Sequence, residues 1–313
     1  MIAPVLQAIA PLVVLMALGA WIKRTLVRQD EVWSGIESIV YYVLMPALLF
    51  SNISQADLTD LPWGALLAGL YIPTLVLSAV ALVPMLWRDS LTPATRSSLF
   101  QGISRFNLYI SLSLAVSLFD ERSFALVGLL AAALVLLVNV TCVSALVSLN
   151  EGRLDSKKLL KELTQNPLIL ACVAGLLANE LNLALPEFAW VTLERLGQTA
   201  LPISLLAIGA GLSLDKFSQG MSLNIYSSLM QMVVKPMIAF MVISATGLAP
   251  EFGVLIFLMM ATPTAPSSYI LARKLGGDAP AMASMIAFQT CVGFGTLLIM
   301  LTLWQVMTGV RLA

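Results

Sequence analysis

The sequence predicts an all-α membrane protein of ten transmembrane helices arranged as two inverted five-helix repeats. Three observations carry that reading: the composition, a row of long apolar stretches, and a constant register of prolines between the two halves of the chain. Of 313 residues, 59% are apolar and 11% charged, and mean hydropathy is +0.93. Soluble domains are about 45–50% apolar and about 25% charged. A water-exposed chain this apolar has too few polar groups to cover its surface. Lys and Arg number 17, as do Asp and Glu, so no positive excess is available to hold nucleic-acid phosphates. Without histidine, His-based triads and His-ligated metal sites are excluded. Cys142, Cys172 and Cys291 fall in apolar stretches, at spacings that match no metal motif, and read as small core residues. No metal and no cofactor is expected.

A bilayer core about 30 Å thick takes roughly 20 apolar residues as helix. Ten stretches meet that length: Ile2–Ile22, Trp33–Ile53, Pro62–Leu86, Ser97–Leu118, Phe124–Leu149, Pro167–Leu185, Val191–Leu214, Ser222–Thr246, Phe252–Leu271 and Pro280–Val306. They are unbroken runs, not the alternating pattern of a strand barrel. The first is followed, not preceded, by its basic residues Lys23, Arg24 and Arg28, which is not the order of a cleavable signal peptide. Twelve of the 17 basic residues fall in the connections after spans 1, 3, 5, 7 and 9. The positive-inside rule then puts those connections in the cytoplasm and both termini on the outer side of the cytoplasmic membrane. The six Trp lie near span ends, where an amphipathic indole prefers the membrane interface.

The repeat shows in the prolines. Pro11 to Gly19 and Pro167 to Gly175 share one spacing, at an offset of 156 residues, and the same offset carries Pro46 onto Pro202. With a small slip, Pro73 in span 3 corresponds to Pro236 in span 8. Residues 1–150 and 163–313 are thus two units of five spans. An odd number of spans makes the second unit enter from the opposite side, with a shared site near the midplane.

Spans 4 and 9 are where the helices should break. Span 4 carries Gly102, Ser104, Arg105 and Asn107 at mid-depth; span 9 carries Thr262-Pro263-Thr264-Ala265-Pro266-Ser267-Ser268-Tyr269. Two prolines in four residues remove amide donors and crowd the preceding carbonyls. Freed backbone groups must be buried in protein or line a wet cavity. Interrupted segments at corresponding places of two repeats point to a transport site. The two breaks are expected to cross, with half-helix N-termini presenting their positive ends to one point.

These motifs resemble a family. Leu44-Met45-Pro46-Ala47-Leu48-Leu49-Phe50 in span 2, Leu201-Pro202 through Gly209 in span 7, Asn166-Pro167 opening span 6 and the proline-rich span 9 followed by Ala272 to Asp278 are similar to the auxin efflux carrier family of bacterial permeases. That family is related to the PIN-FORMED carriers and, in fold, to the bile acid:sodium symporters. The resemblance runs the whole length. It implies a scaffold of spans 1, 2, 6 and 7, a transport unit of spans 3–5 and 8–10, an elevator-like motion and a homodimer through the scaffold. The chain departs from the plant carriers in one respect: span 4 has no proline at its break.

Charge inside a span costs roughly 2.5–3.5 kcal/mol on insertion scales, so Arg105 and Lys235 need a reason. One reading is that they attract an anionic substrate, with Arg105 offering a two-pronged fork to a carboxylate. In another, Lys235 stands in for a coupling cation and ties the broken helices together. In a third, each cation only caps a helix end. A desolvated lysine can also carry a proton, which makes Lys235 the candidate for proton coupling. Arg105, Asn107, Thr262, Thr264, Ser267, Ser268, Tyr269 and Gln289 are the candidate substrate contacts. Lys235, Gly102, Pro263, Pro266 and Asn139 are the candidate supports of the crossing. With no His and no mid-span acid, a nucleophile–base pair has only Lys235 to draw on, so enzymatic chemistry is not expected. The function read from the sequence is a secondary transporter or uniporter of small organic anions in the lipid bilayer. A sodium-coupled symporter is the alternative.

Overall fold

The computed structural model describes residues 2–87, 91–150, 164–212 and 220–310, and they hold no strand. The first half of the chain carries α1 (Ile2–Thr25), α2 (Asp30–Ile39), α3 (Met45–Ser54), α4 (Trp63–Trp87), α5 (Pro93–Ser104), α6 (Leu108–Leu118) and α7 (Glu121–Asn150). The second half carries α8 (Pro167–Glu180), α9 (Glu187–Gly211), α10 (Met221–Leu229), α11 (Lys235–Thr246), α12 (Pro250–Ala261), α13 (Ser267–Lys274) and α14 (Ala279–Thr308). Six helical runs are long and apolar enough to cross a membrane: Val5–Thr25, Asp30–Ser54, Trp63–Ala81, Glu121–Leu146, Met221–Thr246 and Ala279–Thr308. The other expected spans fall on α8, on α9 and on the pairs α5–α6 and α12–α13. Of the basic residues that oriented the chain, Arg88, Arg153, Lys157, Lys158, Lys161, Lys216 and Arg311 lie outside the described residues, as does the Lys274 side chain.

Local chemistry explains the helix ends. The Thr92 side chain accepts from the Thr95 amide ahead of Pro93, and Asn166 accepts from Leu168 and Ile169 ahead of Pro167. Each satisfies a first-turn amide that has no partner within the helix. Two single π turns, Val40–Leu44 and Met230–Val234, each run into a proline, Pro46 and Pro236. A proline ring crowds the carbonyl four residues back; the wider turn takes up the misfit without ending the helix. The prolines paired by the 156-residue offset do different local work. Pro11 lies inside α1 while Pro167 opens α8. Pro46 follows a π turn while Pro202 lies inside α9.

Packing puts the breaks at the centre. α1 lies so close to α9 that each needs a glycine there. A Cβ on Gly19 would stand 2.0 Å from the Leu206 carbonyl oxygen, and one on Gly209 would stand 1.9 Å from that of Met16. α3 packs on α8 and α9, α4 on α11, and α5 on α7. α12 contacts α4, α7, α11 and α14, and every residue from Gly253 to Ala261 is buried. A helix apolar all round belongs inside protein. Elsewhere large apolar side chains such as Leu6, Val14, Leu177, Phe188, Met241 and Ile299 face outward, a surface that suits lipid and not water.

Two side chains correct the sequence reading. Trp304 is not an interface residue: its indole is 0% exposed and packs edge-on against Phe240 and tilted against Phe257. The ring fills core volume at the cost of an unpartnered Nε1. Cys291 is exposed and not a core residue, unlike Cys142 and Cys172; α14 is apolar on all faces, so hydrophobic character does not tell which side turns inward.

Candidate functional site

Both expected breaks are present, and they touch. α5 stops at Ser104 and α6 begins at Leu108, with Arg105 extended at φ −78°, ψ 153°. α12 stops at Ala261 and α13 begins at Ser267, with Thr262 extended at φ −74°, ψ 151°. The Asn107 amide donates to Thr262 Oγ1 at 3.3 Å, and Ser111 Oγ lies 3.5 Å from the same hydroxyl. Thr262 Oγ1 in turn donates to the Met259 carbonyl at 2.8 Å.

Span 9 breaks at its prolines. Span 4 breaks without one because side chains from elsewhere take up its loosened carbonyls. Lys235 Nζ donates to the Ser104 carbonyl at 2.7 Å and Gln289 Nε2 to that of Gly102 at 2.9 Å; Thr264 Oγ1 adds a bond at 3.3 Å to the Gln101 carbonyl, which also keeps the Arg105 amide at 3.0 Å. A buried carbonyl left without a partner costs about 1–3 kcal/mol, so these contacts offset much of what the interruption loses. The second break is held by Gln289 again and by Gln231. Gln289 Oε1 accepts the Thr264 amide at 2.8 Å, and Gln231 Nε2 donates to the Thr262 carbonyl at 3.0 Å. Gly102 also lets α5 approach α14, since a Cβ there would meet Met285 Sδ at 2.9 Å.

The start of α6 carries a side-chain cap. Asn107 Oδ1 accepts the Ile110 amide at 3.1 Å, so the helix is capped by its own asparagine. The Asn107 Nδ2 has no partner, although the residue is 0% exposed. Arg105 is 8% exposed and donates from Nη2 to Asn139 Oδ1 on α7. The ion pairs among the described residues are Lys23–Asp30 and Arg122–Asp57, so no described acid neutralises Arg105. Thr264 Oγ1 lies 3.4 Å from Ser268 Oγ, and Pro263 is buried beside Gly293. Pro266 is half-buried. Ser267 is exposed, away from this cluster. Tyr269 is half-buried with the Arg273 guanidinium 5.9 Å from its ring centre.

Two participants are missing from the residues the sequence singles out, Gln231 and Gln101, while Ser104, singled out in span 4, takes part through its carbonyl. Gln231 lies four residues before Lys235, on the same helix face, and that spacing is the signal that would have found it. Gln101 is 0% exposed and neither amide atom has a partner. A buried glutamine in an apolar stretch is a cost that points to something it meets. A recess of about 580 Å³ lies elsewhere, lined in part by Gln55, Asp57, Asn179, Asn182 and Trp190, and none of the residues at the breaks lines it.

A family model described as membrane transport protein matches residues 152–301. The match spans 150 of the 313 residues, and over that stretch the chain is similar to this family of membrane transport proteins. The match supports the auxin efflux carrier resemblance drawn from the motifs. The matched stretch includes the second break, Gln231, Lys235 and Gln289, whereas Arg105 and Asn107 precede it. No curated protein gives a significant match to the chain.

Proposed function

We propose that this membrane transport protein is a secondary carrier or uniporter of small organic anions, carboxylates such as malate- or malonate-like acids or auxin-like acids. The single observation that carries the anion reading is Arg105. A guanidinium taken out of water keeps its charge and is stable only beside a counter-anion or several acceptors. Here it has one amide oxygen, from Asn139, and no described carboxylate. Its place next to two paired helix breaks suits a carboxylate that comes and goes.

In this reading ten spans form two inverted repeats, and helices α5–α6 and α12–α13 are the crossing pair. α1 to α3, α8 and α9 make a scaffold through which two copies associate. α4 to α7 and α10 to α14 make the unit that carries substrate across by an elevator motion. The close glycine-mediated contact of α1 with α9 supports a rigid scaffold. The protein works in the cytoplasmic membrane with both termini outside. Sodium coupling of the bile acid symporter type is the alternative, and Lys235 bears on it.

The test is uptake of radiolabelled carboxylates into proteoliposomes by wild type, Arg105→Ala and Arg105→Lys. Arg105→Ala is expected to abolish uptake while gel filtration still gives a monodisperse peak. Arg105→Lys keeps the charge but not the fork, and is expected to retain a small fraction. Wild-type uptake by a well-folded Arg105→Ala would remove the anion site.

A further inference from the structure

Lys235 is 0% exposed, and its ammonium has two oxygen partners. It donates to the Ser104 carbonyl at 2.7 Å and to Gln231 Oε1 at 3.2 Å. Ser104 is the last residue of α5, so its carbonyl belongs to the set that no amide of its own helix reaches, at the negative end of the helix dipole. Gln231 relays the contact to the other break by donating Nε2 to the Thr262 carbonyl at 3.0 Å, just past the end of α12. One ammonium and one amide therefore join the C-terminal ends of both half-helices. Gln231 lies in the π turn Met230–Val234 and Lys235 opens α11 directly after it, close enough for their side chains to bond. No described acid pairs with Lys235.

Main-chain and amide oxygens at the ends of broken helices, without a carboxylate, are the donor set that holds a monovalent coupling cation in carriers of this architecture. We infer that Ser104, Gln231 and the two helix ends form a monovalent-cation position whose permanent occupant is the protein's own Lys235 ammonium, so that the carrier works without sodium or potassium. A dissociable ion there would couple transport to its gradient. A tethered one holds the breaks together in every state and couples to nothing. This rests on the transport reading for its meaning in the cycle, but the site itself is testable without transport.

The experiment follows the thermal unfolding midpoint of purified full-length protein while sodium chloride replaces choline chloride at constant ionic strength. Wild type is expected to give the same midpoint in both salts. Lys235→Ala removes the ammonium and its stem, leaving the Ser104 carbonyl and Gln231 Oε1 facing a vacancy. Its midpoint is expected to fall in choline and to rise saturably with sodium, by roughly 2 °C at about ten times the dissociation constant. Lys235→Met fills the space with an uncharged stem, and its midpoint is expected to fall and to ignore sodium.

A sodium-dependent midpoint in wild type would overturn the inference, because the position would then not be filled. A folded Lys235→Ala indifferent to sodium would overturn it as well. If Lys235→Ala does not fold in choline, recovery of folded protein when it is extracted in sodium supports the inference, and failure in both salts counts against it. Carboxylate uptake by wild type in sodium-free and potassium-free proteoliposomes separates the two proposals. No uptake under any salt condition defeats the transport reading, while the midpoint data judge the cation position by themselves.

Discussion

Gln289 donates from Nε2 to the Gly102 carbonyl at 2.9 Å while its Oε1 accepts the Thr264 amide at 2.8 Å. One side chain on α14 therefore satisfies a carbonyl from the first break and an amide from the second. Gln289→Leu keeps roughly the volume and orphans both groups, each at about 1–3 kcal/mol. The expected outcome is a thermal midpoint several degrees below wild type together with loss of transport. Gln289→Glu keeps the acceptor for Thr264 but, when ionised, sets a buried charge against the Gly102 carbonyl, so it too should lower the midpoint. A Gln289→Leu midpoint equal to that of wild type would mean that this bridge does not hold the breaks.

The breaks were legible in the sequence because polar residues or paired prolines inside a long apolar stretch carry a free-energy cost that must be met. Gly102, Asn107, Thr262 and Thr264 announced themselves that way. The partners were not legible, because they depend on which helix faces which. Gln289 stood among the candidate substrate contacts with neither of its helix-break partners in view, Gln231 passed for part of an ordinary helix, and the cap that Asn107 Oδ1 forms on α6 depends on where the helix restarts. Span 4 has no proline, and the carbonyls its interruption frees are taken up by Lys235 and Gln289, which are distant in sequence. Trp304 failed for a related reason: position along a span does not say whether a ring meets lipid or Phe257.

Asn179 holds the end of α3 from across the fold. Its Nδ2 donates to the carbonyls of Ile53 at 3.2 Å, Ser54 at 3.1 Å and Ala56 at 2.8 Å. They lie at the end of α3 and just past it, where carbonyls run out of helix amides, although that of Ile53 also accepts the Ala56 amide at 3.3 Å. Asn179→Asp replaces the donor with a carboxylate that faces acceptors only. It is expected to lower the unfolding midpoint by the equivalent of about 1–3 kcal/mol. Asn179→Gln, whose longer side chain retains the amide, should recover part of the loss. Equal stability of Asn179→Asp and wild type would show that the cap contributes nothing.

Asp120 gives a pH dependence at the membrane surface. The Ser123 side chain and amide beside it, the latter 2.9 Å from Oδ1, hold its carboxyl below the usual carboxylate range. A depressed carboxyl stabilises the folded state above the unfolded carboxylate range and loses that contribution as pH falls through its own lower value. The group is largely exposed, so the effect is small. Asp120→Asn keeps an acceptor for the Ser123 amide and does not titrate. Its midpoint should therefore decline less steeply than that of wild type below about pH 4. Parallel declines for the two proteins would exclude Asp120 as a contributor.

The approach of α1 to α9 makes the sharpest stability prediction. A methyl group on Gly209 would sit 1.9 Å from the Met16 carbonyl oxygen, and one on Gly19 would sit 2.0 Å from that of Leu206. Neither oxygen can swing aside, since each belongs to helix backbone, so the helices themselves must separate. Small residues allow such contacts within membranes, where packing replaces the hydrophobic drive between helices. Overpacking costs typically about 1–3 kcal/mol, and a rigid backbone neighbour puts Gly209→Ala at the upper end. Gly295 supplies the control, because a methyl there meets nothing within 4 Å. Alanine in an open helical position is favoured over glycine by up to about 1 kcal/mol. Gly209→Ala and Gly19→Ala should thus lower the midpoint, and Gly295→Ala should leave it unchanged or raise it. If all three substitutions act alike, the reciprocal glycine contact is not what fixes α1 against α9.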